Sequence, residues 1–297
     1  MRIGIDLGGT KIEGIALDDA GVEIFRKRID APQGVYNDTI TAIAGLVNKI
    51  ETTTNDKGTV GIGIPGTISP KTGLVKNANS TWLIGQPLHT DLEALLNRDV
   101  RIENDANCFV VSEATDGAAK NAEIVFGVII GTGTGGGVFI RGQSIIGANA
   151  IAGEWGHNPL PWPTQYELPG RECYCGKQGC IETWLSGPGF AEDHKLRNYQ
   201  ANTISAKKLV SLALQGDEYA QESLKLYEER LAKSLATIIN VIDPDVIVLG
   251  GGMSNIKQLY KNIPKRWDKY VFSDHINTKL VPPKHGDSSG VRGAAWL

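Results

Sequence analysis

Four residues near the middle of the chain have the types and spacing of a metal site. His157 is followed by Cys173, Cys175 and Cys180, so three of the four cysteines fall within eight residues. One imidazole and three thiols make the Cys₃His donor set of a closed tetrahedral zinc site. Gly176 and Gly179 lie between the last two cysteines, where a chain folding round a metal needs tight turns. The competing reading is four unrelated residues, with the cysteines as small apolar side chains, and C-x-C-x4-C by itself names no family. A disulfide is disfavoured, because a long chain with few cysteines and no secretion signal reads as cytosolic, where thiols stay reduced. Cys108 is left over and reads as a buried small side chain. Glu154 and Glu182 stand just outside the ligands. A structural zinc would hold these two carboxylates in fixed relation, as the rigid wall of a site for something polar and neutral.

Two glycine-rich stretches point to phosphate. Gly8-Gly9-Thr10-Lys11 follows a strand pattern at 3–6, and Gly131-Thr132-Gly133-Thr134-Gly135-Gly136-Gly137 follows another at 124–130. Glycine lets backbone N–H groups close on oxygens, and Thr adds a hydroxyl. A dinucleotide-binding fingerprint must open a helix, whereas both loops run on into β-type sequence. No Walker A motif occurs either. Each loop alone reads equally well as an ordinary hairpin. With Gly250-Gly251-Gly252 after the buried strand 246–249, the three together favour a nucleotide. Asp6, at the end of the first strand, is placed to hold Mg²⁺ through water. Lys11 either neutralises phosphate or is an exposed hairpin lysine. Glu103-Asn104-Asp105-Ala106-Asn107 lies where a strand gives way to a helix. Asp105 is there either a helix N-cap or a general base for an acceptor hydroxyl, since strand ends are where α/β sites form.

The elements that must position these residues follow from periodicity. Strands are expected at 3–6, 11–17, 23–29, 60–64, 100–102, 124–130, 138–141 and 246–249. Helices are expected at 36–53, 88–97, 105–116, 218–242, from about 255, and at 288–297. A hairpin with a Gly/Thr tip opens each half, a weak internal repeat that implies two related α/β domains facing each other. Their boundary falls near Phe109. The last helix is expected to pack back on the first domain.

The bulk composition narrows the class. The chain has 297 residues, enough for two domains, with 41% hydrophobic and 21% charged residues as in soluble globular proteins. No run of 18 apolar residues marks a membrane span. A formal net charge of −3 argues against a nucleic-acid partner. The strand pattern at the very start leaves no room for a signal peptide or an N-terminal DNA-binding domain.

The ordered set of motifs resembles the ROK family of sugar kinases, within the actin-like ATPase superfamily. The matching residues are Asp6 to Lys11, Gly63-Ile64-Pro65-Gly66, Glu103 to Asn107, Gly131 to Gly137, Gly153-Glu154-Trp155-Gly156-His157, Cys173 to Glu182 and Leu249 to Ser254. They come in the family's order and span nearly the whole chain. The resemblance implies an α/β fold of two actin-like ATPase (ribonuclease H-like) domains, with a cleft between them and a zinc-bound loop. It implies residues 1–108 as the first domain, completed by the helix 286–297, and 109–285 as the second. The family's transcriptional repressors carry a helix-turn-helix ahead of this module, so that branch is disfavoured.

Within the family, the stretches 76–83, 157–162 and 284–296 look most like bacterial fructokinases of the mannokinase type, with N-acetylglucosamine kinases as close neighbours. The implied activity is ATP-dependent phosphorylation of D-fructose to fructose 6-phosphate. The alternatives are an N-acetylglucosamine, mannose or glucose kinase, or a non-catalytic sugar sensor. The resemblance assigns Asp105 as general base, and Gly66, Asn79, Asn104, Glu154, His157 and Glu182 to the sugar. His157 would place one ring nitrogen on zinc and its other edge toward the sugar. Asp6 with Mg²⁺, Gly8, Gly9, Thr10 and Lys11, and Gly131, Thr132, Gly133, Thr134 and Gly135 would hold the phosphates of ATP. Gly251 and Gly252 would lie against adenosine. Structural Zn²⁺ would sit on His157, Cys173, Cys175 and Cys180. A cytoplasmic enzyme is implied, with a homodimer left open. Trp155 and Asn79-Ser80-Thr81-Trp82 read as crowded walls that would disfavour an acetamido group.

Overall fold

A computed structural model of the chain describes residues 1–199 and 202–297. In chain order the elements begin with β1 (Arg2–Leu7), β2 (Lys11–Leu17), β3 (Glu23–Asp30), α1 (Tyr36–Thr54), β4 (Thr59–Ile64), β5 (Thr67–Ile68), β6 (Val75–Lys76), α2 (Leu88–Leu96), β7 (Val100–Asn104) and α3 (Asp105–Thr115). They continue with β8 (Ile124–Ile130), β9 (Thr134–Ile140), β10 (Gln143–Ser144), α4 (Glu182–Leu185), α5 (Gly187–Arg197), α6 (Ala206–Leu214), α7 (Glu218–Ile242), β11 (Val246–Gly250), α8 (Lys257–Asn262), β12 (Lys279–Val281) and α9 (Ser289–Trp296). No helix among the described residues is long and apolar enough to cross a membrane.

The chain divides into two compact units. The first holds Met1–Asn121, Gly137–Ala152 and Lys284–Leu297, and the second Ala122–Gly136 and Gly153–Pro283. The division therefore falls after Asn121 and not at Phe109. The reason is α3, which packs against α9 and so stays with the first unit. Gly293 marks that contact, since a Cβ there would lie 1.6 Å from the Cys108 carbonyl oxygen. Cys108 is fully buried, as a small core side chain, and burial drives its thiol far above the usual range.

In the first unit the sheet runs β3-β2-β1-β4-β7, with β1 antiparallel to β2 and parallel to β4. Ile3, Ile5 and Leu7 of β1 join Ile43, Leu46, Val47 and Ile50 of α1 in one core. Those α1 residues recur every three or four positions, which puts them on one helical stripe. The helix stops where Asn55 turns left-handed. Alternate residues of β1 face the other way, and there α9 packs on the sheet.

The other five-stranded sheet has the order β10-β9-β8-β11-β12. Its strand order repeats that of the first sheet, with each glycine-tipped hairpin at the corresponding place. In the second unit β11 lies parallel to both β8 and β12. The long α7 begins at Asp217, whose carboxylate caps the Ala220 N–H. It packs against α4, α5 and α6. One expectation moves: the strand after the second glycine loop starts at Thr134, not 138. The glycines from 135 onward are strand residues because other backbone comes close. A Cβ on Gly136 would stand 2.9 Å from the Gly153 carbonyl oxygen and the Trp155 ring.

Candidate functional site

In the first unit the tip of the β1–β2 hairpin is a tight turn. Its last strand pair is Leu7 with Ile12, and Gly8 N–H donates to the Lys11 carbonyl at 2.9 Å. Gly9, Thr10 and Lys11 are exposed. Asp6 sits just before this turn. Burial, helped by the charges of Asp105 and Glu13 and opposed by Arg28, pushes its carboxyl up to about 7. A desolvated carboxylate with two acidic neighbours is stabilised by a divalent cation, so the donor chemistry fits Mg²⁺.

The strand-to-helix corner after β7 assigns separate tasks to two neighbours. Asn104 is the helix cap: its Oδ1 accepts from Ala106 N–H at 2.9 Å, and its Nδ2 donates to the Gly66 carbonyl at 3.0 Å. The cap expected of Asp105 is thus supplied one residue earlier. Asp105 is the first residue of α3, exposed, with Oδ1 also accepting from Ala106 N–H at 2.8 Å. Asn104 and Gly66, both assigned to the sugar, come together in this way. Asn79 is exposed just beyond β6. Its neighbour Ser80, read from the sequence only as part of a crowded wall, is buried, and its Oγ lies 3.7 Å from the Cβ position of Gly9. That hydroxyl has no hydrogen-bond partner among the described residues.

In the second unit the four expected metal ligands converge. The ligand atoms of His157, Cys173, Cys175 and Cys180 all lie within 4.8 Å of one another. His157 Nδ1 is 3.6 Å from Cys173 Sγ, and Cys175 Sγ is 3.7 Å from Cys180 Sγ. A tetrahedron with Zn–S of about 2.3 Å and Zn–N of about 2.05 Å has S···S edges of about 3.75 Å and S···N edges of about 3.6 Å. The cluster therefore has the size of a zinc site. Its turns are closed by Gly176 N–H to the Cys173 carbonyl and Cys173 N–H to the Lys177 carbonyl, each at 2.9 Å. Burial and then the neighbouring sulfurs push the Cys180 thiol up to about 12, the penalty that a bound cation removes.

Around the cluster, His157 Nε2 meets the Tyr174 hydroxyl at 3.0 Å. The ring edge expected to face a sugar is here turned to that phenol. Desolvation of the Tyr174 hydroxyl, then the charges of Glu182 and Glu154, push it up to about 12 although its ring is exposed. Both acids are therefore neighbours of the His157–Tyr174 pair. Glu182 also turns toward the second glycine loop, where its Oε2 accepts from Thr134 N–H at 2.8 Å.

That loop differs from its expected form in two respects. Thr134 is buried with its hydroxyl unpartnered among the described residues, so Thr132 is the exposed hydroxyl of the pair. Trp155 is no wall. It is 2% exposed, edge-on to Phe126, and its Nε1 donates to the Gly135 carbonyl at 2.9 Å. In the first unit, Trp82 is partly buried against the core, and its Nε1 donates to Thr39 Oγ1 at 3.3 Å.

Beside the loop opens a cavity of about 960 Å³. Gly131, Thr132, Gly187, Gly252, Met253 and Ile256 contribute to it. An apolar slot ending at a glycine loop suits a nucleoside with its phosphates at the loop. Gly251 is required here: its φ is +77°, and a Cβ would lie 2.4 Å from the Ile130 carbonyl oxygen. Of the lining, the sequence reading had named Gly131, Thr132 and Gly252 but not Gly187 or the residues between Thr203 and Val210. Ser186-Gly187-Pro188 carried a usable signal, a serine cap with proline in the first turn of α5.

Comparison with known proteins gives one consistent picture. A model of the ROK family matches residues 2–297. A protein of Vibrio cholerae named N-acetyl-D-glucosamine kinase is 41% identical over 301 aligned positions, covering 100% of this chain and 99% of that protein. A ROK hexokinase from Thermus thermophilus superposes with TM-score 0.87 at 27% identity, covering 99% of this chain and 96% of its own. A ROK-family glucokinase from Streptomyces griseus, solved with glucose and AMPPNP, superposes with TM-score 0.79 at 27% identity, covering 100% and 98%.

Proposed function

The chain belongs to the ROK family, and on that premise we propose that it is an N-acetyl-D-glucosamine kinase, moving the γ-phosphoryl of ATP to the 6-hydroxyl of the sugar. The coarser activity follows from the family and its relatives: this is a sugar kinase that phosphorylates a hexose with ATP. The finer reading is carried by the full-length, 41% identical match to a kinase named for that sugar. The relatives thus favour the alternative of the sequence reading over its first choice, fructose. One part of the steric argument for fructose no longer supports it, because Trp155 is turned into the core.

In this reading Asp105 takes the proton of the acceptor hydroxyl as that oxygen attacks in line. The residues assigned to sugar hydroxyls are Asn104, Gly66, Asn79, Glu154, His157 and Glu182, which offer amides, a carbonyl, carboxylates and an imidazole. Gly8, Gly9, Thr10 and Lys11, together with Gly131 to Gly135, hold phosphate oxygens through backbone N–H groups and side-chain donors. Asp6 orients the water shell of Mg²⁺, which when bound neutralises phosphate charge. The cavity along Gly251, Gly252 and Met253 takes the adenosine. His157, Cys173, Cys175 and Cys180 hold one zinc, whose four protein ligands leave no open position for chemistry.

A coupled ADP-release assay over a panel of hexoses tests the proposal. N-acetyl-D-glucosamine should have the highest kcat/KM, by about tenfold or more over fructose, glucose and mannose, the scale of one well-fitted substituent. A higher kcat/KM for fructose would overturn the sugar assignment and leave the kinase mechanism in place.

A further inference from the structure

The second glycine loop is held along its length by the segment that carries the metal ligands. The Gly131 carbonyl accepts from Gly187 N–H at 2.8 Å, Thr134 N–H donates to Glu182 Oε2 at 2.8 Å, and the Gly135 carbonyl accepts from Trp155 Nε1 at 2.9 Å. Trp155 stands two residues before His157, and Glu182 two residues after Cys180. The first and last ligands of the cluster thus each lie next to a residue that grips the loop. The two flanks are also joined to each other, by Ile181 N–H to the Asn158 carbonyl at 2.8 Å and a bridge between Pro159 and Cys180. Gly131 and Thr132 of the same loop line the nucleotide cavity.

We infer that Trp155 and Glu182 are positioning residues for the phosphate loop, and that through them the Cys₃His cluster sets the affinity for nucleotide as well as for sugar. The inference rests on the kinase reading and on zinc in the cluster. A loop built of glycines loses much conformational freedom when it closes on phosphate. Bonds that already hold it in shape remove part of that cost and so tighten binding. With His157 linked to Cys173, Cys175 and Cys180 through one ion, the flanks bearing Trp155 and Glu182 are fixed relative to each other. Without that link the two tethers are joined only by the backbone bonds between 158–160 and 179–181, a looser coupling. Each tether acts through loop backbone, Trp155 at the 135 carbonyl and Glu182 at the 134 amide. Glu182 uses one carboxylate oxygen for this and keeps the other for a sugar hydroxyl.

Linkage then requires reciprocity: if zinc tightens nucleotide binding, nucleotide must tighten zinc binding by the same factor. The test compares the unmodified protein with Trp155→Phe, which keeps an aromatic ring against Phe126 and removes the N–H donor. Trp267→Phe serves as control, because Trp267 is equally buried and its Nε1 has no hydrogen-bond partner among the described residues. For each protein, calorimetry gives the Kd of Mg-ADP and of N-acetyl-D-glucosamine. Competition with a chromogenic chelator gives zinc affinity with and without saturating Mg-ADP.

Trp155→Phe should bind Mg-ADP about three- to tenfold more weakly, the worth of one net hydrogen bond, with sugar affinity near that of the unmodified protein. Mg-ADP should raise zinc affinity in the unmodified protein and in Trp267→Phe, and much less in Trp155→Phe. Equal Mg-ADP affinity in Trp155→Phe and unmodified protein would sink the inference. So would zinc affinity indifferent to Mg-ADP in the unmodified protein, a measurement that stands even if the variant fails to fold. Unmodified protein that binds no Mg-ADP at all would instead remove the kinase reading, and the inference with it.

Discussion

Replacing Asp105 with Asn separates a catalytic from a structural role because the structure has already divided the two. The cap of α3 belongs to Asn104, which stays. Asp105 follows it and accepts from Ala106 N–H, a bond that the Asn oxygen can also accept. The substitution loses the attraction between a charge and the helix N-terminus, about 0.3–1 kcal/mol. It also relieves repulsion with Asp6, whose carboxyl Asp105 helps to push up. The two changes oppose each other, so stability should move by less than about 1 kcal/mol, or at most about 2–4 °C in Tm. Catalysis should respond on another scale. Removing a general base lowers kcat by about 10²- to 10⁴-fold, equivalent to about 2.7–5.5 kcal/mol of barrier. The assay is coupled ADP release at saturating N-acetyl-D-glucosamine and Mg-ATP, with sugar and Mg-ADP affinities measured by calorimetry. Folded Asp105→Asn protein with kcat within about threefold of the unmodified enzyme would refute the base assignment, since removal of a transition-state interaction must lower kcat.

Three further outcomes are expected. Metal analysis of cleanly purified protein should find one zinc per chain, and Cys175→Ser should lower its retention, whereas protein that folds and carries no zinc would remove the cluster from the account. Glu167 is buried with Arg230 Nε at 2.6 Å and Lys233 Nζ at 2.9 Å. Burial would raise its carboxyl, but bonds from Arg230, the Thr164 amide and Lys233 outweigh it and hold it at about 2. Its folded value is depressed, so the unfolded chain binds more protons as the solution is acidified. Its stabilisation is full above about pH 4.5 and falls by about 3 kcal/mol as pH drops through 2. Glu167→Gln should cost about 3–5 kcal/mol at pH 7, by stranding buried cations. Urea midpoints of the two proteins should converge toward pH 3, and a constant gap would exclude this account. Gly251→Ala should cost about 1–3 kcal/mol through its left-handed backbone and its contact with the Ile130 carbonyl. It should also weaken Mg-ADP binding, and an unchanged Tm would show that the turn relaxes freely.

The features legible in the sequence are those whose cause is local. The turn Gly8 to Thr10 closes with a bond to Lys11, three residues from Gly8, so the hairpin tip could be read from a few letters. Cys173, Cys175 and Cys180 lie on one short stretch bent by glycines, and the cluster was visible before the fold. The stripe through Ile43, Leu46, Val47 and Ile50 repeats at the helical period, so α1 was placed to within a residue. The repeated hairpins suggested two related halves, and the two five-stranded sheets do share one strand order.

Tertiary contact decided the rest, because burial and hydrogen-bond partners depend on which surfaces meet and not on spacing along the chain. Trp155 looked like a pocket wall until Gly135, 20 residues away, proved to be its partner. Glu182 looked like a sugar ligand alone, and its bond to Thr134 spans 48 residues. α3 belongs to the first unit because α9, far along the chain, packs on it. The cavity beside the second glycine loop was half invisible for the same reason: Gly187 and Thr203 to Val210 carry no phosphate motif, and only folding brings their surface to that loop.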